Sequence, residues 1–220
     1  MKYLSFFLLP WLGAAAFAAS PTNTEAQQAF QDYFGHVVSH LLTTLQRPAP
    51  TLPQDIRIAL QDCDEAVIPD FPVVFCHLEL ALLWQGKNVH MPSYWLFVQQ
   101  DEHWSLISDQ YFKEIDEYPP AHLPTEQEAQ QAIRMYTAAV NAYALAMAIW
   151  MGTNDAPLQQ IPESLRVKTC RPETVDSRNI ALCAMEITMR VRAETHTVQG
   201  DIPLIYSPQS GLWFQYAVPF

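Results

Sequence analysis

The chain has 220 residues, with 12 Lys and Arg against 23 Asp and Glu, a net charge of −11, and half of its residues hydrophobic. A charged fraction of 16%, against an ordinary value of about 25%, excludes a disordered or fibrous chain. The negative balance also excludes the phosphate-neutralising surface that nucleic-acid binding needs, so no nucleic-acid partner is expected.

Behind the positive Lys2, residues 4–12 form an apolar run broken by Ser5 and Pro10, and small residues follow at Ala14, Ala15, Ala16 and Ala18. These are the parts of a secretory signal peptide, and Ala16-Phe17-Ala18 fits the A-x-A rule, so segment 1–18 is expected to be cleaved after Ala18. Cleavage leaves 202 residues at net charge −12, since Lys2 is lost. The run is short for a membrane span of about 20 residues, and no Cys follows it to carry a lipid. The mature protein is expected in the periplasm, with no integral membrane span.

The first helix is expected to start just after Pro21, where Thr22 and Glu25 have capping-box spacing. Phe30, Tyr33, Phe34, Val37, Val38, Leu41 and Leu45 recur every three or four residues and form one apolar face. Pro48, Pro50 and Pro53 stop it. Beside that stripe, Asp32, His36 and His40 share a face at i, i+4 and i+8. Carboxylate and imidazole at this spacing can ligate a metal, but no H-E-x-x-H accompanies them. The expectation is an exposed helix face without metal.

Strand patterns follow at 56–62, 73–84, 94–100 and 103–108, with turn signals at Gln85, Gly86 and Lys87 and at Gln100, Asp101 and Glu102. The chain then repeats itself. Residues 21–29 (PTNTEAQQA) align with 124–132 (PTEQEAQQA) at seven of nine positions, and Cys63 and Cys76 are spaced 13 apart like Cys170 and Cys183. The residues after the second cysteine also match, as do Trp104 and Trp213. On this alignment Asp32, His36 and His40 correspond to Met135, Ala139 and Tyr143, so a metal site would belong to the first half alone.

Thr125 and Glu128 open a second helix that runs to about Met151 and stops at Gly152. Its last 17 residues carry no charge, yet Thr137 and Asn141 suit a buried helix better than a lipid-facing one. Being apolar nearly all round, it should be covered by its own sheet and also by the other half or by a second chain, as in a homodimer. Strand patterns follow at 165–169, 180–193, 202–206 and 212–218, with a turn at 207–211. The last of them (Leu212, Phe214, Tyr216, Val218, Phe220) is similar to the closing strand of an outer-membrane β-barrel. Two long helices, the disulfides expected below and Pro219 argue for an ordinary last strand.

The expected fold is therefore α+β: a tandem duplication, 21–122 and 124–220, of a helix followed by a four-stranded antiparallel sheet, the two copies packed as a pseudo-dimer. This order of elements resembles that of cystatin-like and nuclear-transport-factor-like folds. An even set of cysteines in an exported chain reads as disulfides. Four cysteines allow three connectivities, and the duplication favours the one that treats both copies alike, Cys63–Cys76 and Cys170–Cys183.

No G-x-S-x-G, S-x-x-K, phosphate loop or dinucleotide fingerprint is present, and six glycines leave little for phosphate cradles. No cofactor is expected. The candidate ligand face consists of His77, Glu79, Tyr94 and Trp95 in the first half and Glu186 and Arg190 in the second. The reading that follows is an exported, non-catalytic binding or accessory protein of the cell envelope, whose partner is an envelope protein or a peptide held at a sheet face or edge. The alternative is a small-molecule binder or hydrolase-type enzyme using the concave side of one sheet, lined by Tyr94, Trp95, His77 and Glu79.

Overall fold

A computed structural model gives the fold and describes residues 20–45, 54–66, 73–84, 86–100, 103–106, 122–151, 153, 155–175, 178–207 and 211–216. The leader at 1–18, the prolines Pro48, Pro50 and Pro53, Gly152, and the chain end from Val218 to Phe220 lie outside these residues. The chain is α+β, with two helices and two antiparallel four-stranded sheets. Helix α1 (Asn23–Leu45) precedes strands β1 (Gln54–Ala66), β2 (Val73–Trp84), β3 (Lys87–Gln100) and β4 (His103–Leu106). Helix α2 (Glu126–Met151) precedes β5 (Gln160–Val175), β6 (Arg178–Val191), β7 (Glu194–Ser207) and β8 (Leu212–Gln215). Both sheets are meanders whose strands neighbour one another in chain order.

Both helices open with the reciprocal hydrogen bonds that the Thr and Glu spacing implies. The Thr22 N–H donates to Glu25 Oε2 at 2.7 Å, and the Glu25 N–H donates to Thr22 Oγ1 at 3.2 Å. The same pair of bonds joins Thr125 and Glu128, at 2.7 and 3.3 Å. Each box satisfies amides that a helix start leaves without partners.

Two features recur at matched positions in the strands. Cys63 lies opposite Cys76 and Cys170 opposite Cys183, each pair disulfide-bonded, with Cα atoms 4.1 and 4.0 Å apart. Closing a loop of this length stabilises the fold by about 3 kcal/mol in the chain-entropy account. The register slips twice in each first hairpin, between Leu60 and Asp62 and between Val167 and Thr169, one residue before the cysteine. The second slips end at Arg57 and Ser164, each six residues before its cysteine.

The short Cα spacing marks the cysteines as cross-strand pairs that do not exchange backbone hydrogen bonds. Cys76 therefore bonds to Trp95 on β3, and Cys183 to Ile202 on β7. Alternate residues of β3, including Tyr94 and Pro92, then turn their backbone groups to the outer edge. This is why a proline is tolerated there, and why β3 continues back to Lys87 beyond the expected start at residue 94. Strands β5 and β7 also outrun their hydrophobic alternation, since their extra residues are mostly exposed.

Helix α1 lays Ala26, Ala29, Phe30 and Phe34 on one side of the first sheet, with the Phe30 ring stacked 4.9 Å from Trp95. Burying Phe30 contributes roughly 2 kcal/mol. Helix α2 serves both sheets. Near its start, Ala129, Ala132 and Ile133 join Cys183, Met185, Leu204 and Trp213 of its own sheet. Near its end, Leu145, Ala146, Ala148 and Ile149 join the first-sheet core containing Leu80, Leu82 and Met91. Between them, Met135 and Ala138 sit in a third cluster with Phe75 and Leu96 of the first sheet and Ile180 and Phe214 of the second. The helix is long and apolar enough to cross a membrane, but most of that stretch is packed inside the protein.

Asn141 marks the crossing. It is 0% exposed, its amide donates to the carbonyls of Tyr94 (3.2 Å) and Gln160 (2.7 Å), and its oxygen accepts from the Gln160 N–H (2.8 Å). Beside it, the Ser93 hydroxyl donates to Gln159 at 2.6 Å. The outer edge of β3 is thereby covered at Ser93 and Tyr94 by α2 and the start of β5.

Candidate functional site

Strand alternation separates the first-half candidates. Trp95 points to the α1 side, where it stacks on Phe30, while Tyr94 and His77 lie opposite one another on the other side, ring centroids 4.9 Å apart. The expected lining of Tyr94, Trp95, His77 and Glu79 is corrected on this point: successive residues of a strand cannot share a face. Trp95 is fully buried, and Tyr94 is 2% exposed.

What the fold gathers around Tyr94 is a bracket between the halves. Arg134 of α2 lies 3.7 Å from Asp64 of β1, and His77 Nδ1 lies 3.3 Å from Asp62 Oδ2. Burial pushes the Tyr94 hydroxyl well above the ordinary tyrosine range, and the nearby Arg134 guanidinium opposes that only in part. A phenol held neutral in this way cannot serve as a base at neutral pH. Glu79 stands on the same side of the sheet, half-buried opposite Ala59 and Pro92.

The second-half candidates are engaged with their strand neighbours. Gln199 Nε2 donates to Glu186 Oε2 at 2.5 Å, and Arg190 Nε lies 3.0 Å from Glu163. The ladder continues through Thr188 and Thr197 at 3.1 Å and Arg171 and Asp201 at 2.8 Å. Exposed cross-strand pairs of this kind contribute a few tenths of a kcal/mol each and specify register. The two groups of candidates thus sit on separate sheets. A cleft of about 500 Å³ opens elsewhere, between His122, Leu123, Pro172, Glu173 and Ile180.

On α1, Asp32 accepts from Gln28 Nε2 at 2.8 Å and His36 is exposed, while the His40 side chain is outside the described residues. Among the described residues, no group of three or more His, Cys, Asp or Glu could hold a metal ion.

A surface that periodicity alone did not single out emerges from comparing matched positions. Counted from the second cysteine of each half, Ile187 and Met189 match Leu80 and Leu82, and Val198 opposite Ile187 matches Met91 opposite Leu80. Under the end of α2, Leu80, Leu82 and Met91 are 0%, 3% and 7% exposed. In the second sheet Ile187 and Met189 are only half-buried, and Val198 is 60% exposed. Leu165, Ile187 and Met189 pack in part against the cluster that α2 joins, and Val198 extends this apolar face beyond it. No protein-family model matches the chain, and no curated protein matches it.

Proposed function

We propose that the chain is an exported, disulfide-stapled, non-catalytic binding protein of the cell envelope, residing in the periplasm. The partly open face at Leu165, Ile187, Met189 and Val198 is its working surface. The observation that carries this reading is the contrast between halves: the matched face of the first sheet is closed in a core with Leu145, Ala146, Ala148 and Ile149 of α2, and that of the second leaves Leu165, Ile187 and Met189 only half-buried and Val198 60% exposed. The occupant it fits is an amphipathic segment of an envelope protein or peptide, docking as α2 docks on the first half. Export is supported by the leader at 1–18 and by the two disulfides.

The same reading takes 21–122 and 124–220 as two copies of one ancestral unit, of the cystatin-like or nuclear-transport-factor-like kind in its order of elements. Matched capping boxes, disulfides and both register slips support a duplication. Crosslinking in native envelopes, followed by mass spectrometry, tests the function. Wild-type protein should capture a defined partner, and Met189→Glu, on β6, should abolish capture while the wild-type circular dichroism is kept. Capture unaffected by this substitution, or no reproducible partner, would overturn the proposal.

A further inference from the structure

We infer that two copies of this chain associate through strand β7, pairing antiparallel about Val198 into one continuous eight-stranded sheet. The argument starts from how each sheet treats its edges. An open edge presents unpaired amides and carbonyls and invites another strand, and proteins blunt it with bulges, outward prolines or a covering element. Strands β1 and β5 each carry two register slips, and β5 carries Pro172 as well. Strand β3 carries Pro92 and is covered by α2, with Asn141 donating to the Tyr94 carbonyl.

Strand β7 has none of these devices over residues 194–202. Its pairing with β6 is regular throughout, and β8 reaches only as far as Leu204, followed by one bond from the Tyr216 N–H to the Pro203 carbonyl. Since Cys183 bonds to Ile202, the backbone groups of Ile202, Gly200, Val198 and His196 point to β6. Those of Thr195, Thr197, Gln199 and Asp201 point outward, with no partner strand among the described residues. All residues from Glu194 to Asp201 are exposed, and Val198 at the midpoint of the open stretch is 60% exposed.

The stretch is complementary to itself. A two-fold axis through Val198 places Thr197 opposite Gln199 of the second copy, Thr195 opposite Asp201, His196 opposite Gly200 and Glu194 opposite Ile202. No like charges oppose one another, and every residue of the bare stretch is paired. The ends fit as well: the turn at Arg192 and Ala193 closes one strand where Tyr216 of the other copy closes the gap. On the axis, Val198 faces its own equivalent as a pair without mutual backbone bonds, the same arrangement as Cys63 and Cys76.

Register-specific crosslinking of the full mature chain tests this. Val198→Cys should oxidise to a disulfide-linked dimer. His196→Cys and Gly200→Cys should crosslink poorly alone but efficiently when mixed, with the two native disulfides confirmed intact by peptide mapping. In sedimentation equilibrium the wild type should reach twice the chain mass. Gln199→Pro should raise the dimer dissociation constant at least about tenfold, while keeping the wild-type circular dichroism, because Pro92 already occupies the matched edge position of β3. A wild type that stays monomeric at every concentration, or crosslinking that favours a different pair of positions, would overturn the dimer. The face-binding function stands or falls separately on the Met189 capture experiment, because Met189 lies on β6 and takes no part in the β7 pairing.

Discussion

Between Val191 and Glu194, which face each other across the β6–β7 hairpin, the chain reverses in two residues, and Arg192 takes a φ of 58°. A two-residue hairpin loop that follows the right-handed twist of its strands needs positive φ at its first central position. A side chain pays for that conformation, where glycine does not. Arg192→Gly should therefore raise stability by about 0.5–1 kcal/mol, read as a higher urea midpoint with unchanged slope. A lower midpoint would show that contacts of the Arg192 side chain outweigh the strain. The turn is invisible in the sequence because neither Arg192 nor Ala193 is a turn former, so the β6 pattern runs on to Ala193 without a break. Gly86 and Gly211, with φ of 77° and 69°, supply the left-handed turns that the residue types do announce.

At the scale of elements, the helix starts were legible because a capping box is wholly local, confined to four residues whose identities fix the bonds. It also ties the helices to pH. Glu25 is held below the ordinary glutamate value by the Thr22 backbone N–H and then the Thr22 hydroxyl. At Glu128 burial pushes upward, but the Thr125 N–H, the Thr125 hydroxyl and His122 together outweigh it. A depressed folded value means that the contribution is present above the unfolded pKa of 4.5 and is lost as pH falls through the folded value. Stability measured by urea should fall as pH drops below 4.5, and the double variant Glu25→Gln with Glu128→Gln should flatten that fall. An unchanged slope would place the acid sensitivity elsewhere. Strand lengths were less legible. Alternation reports a strand only where one face is buried, and β7 over 194–200 is exposed on both faces, so its open edge leaves no hydrophobic signature.

For the molecule as a whole, the α+β class, the two sheets and both disulfides follow from repeats and spacing along the chain. How the halves meet does not, because an alignment of one half on the other carries no information about contacts between them. Asn141 shows the difference. Its aligned counterpart is Val38, so the residue that joins α2, β3 and β5 is a departure from the repeat rather than part of it. Asn141→Ala should cost about 3 kcal/mol by urea unfolding, since the Tyr94 carbonyl and both backbone groups of Gln160 lose buried partners. Gln199→Leu, on the exposed ladder, should stay within about 0.5 kcal/mol. Equal costs for the two would remove Asn141 as the junction. Of the candidate face, His77 and Tyr94 do lie opposite one another across β2 and β3. Trp95, the next residue along the strand, faces the α1 side instead, as strand alternation requires.

The division of labour along α2 also sets an order of events. Ribosomal synthesis delivers residues 21–106 first, yet the core around Leu80, Leu82 and Met91 is completed by Leu145, Ala146, Ala148 and Ile149, some forty residues beyond the last strand of that sheet. Among the described residues, the cluster around Met185, Leu204 and Trp213 draws its buried members only from residues 129–213. The half made first must therefore wait for the half made second before its interior is complete.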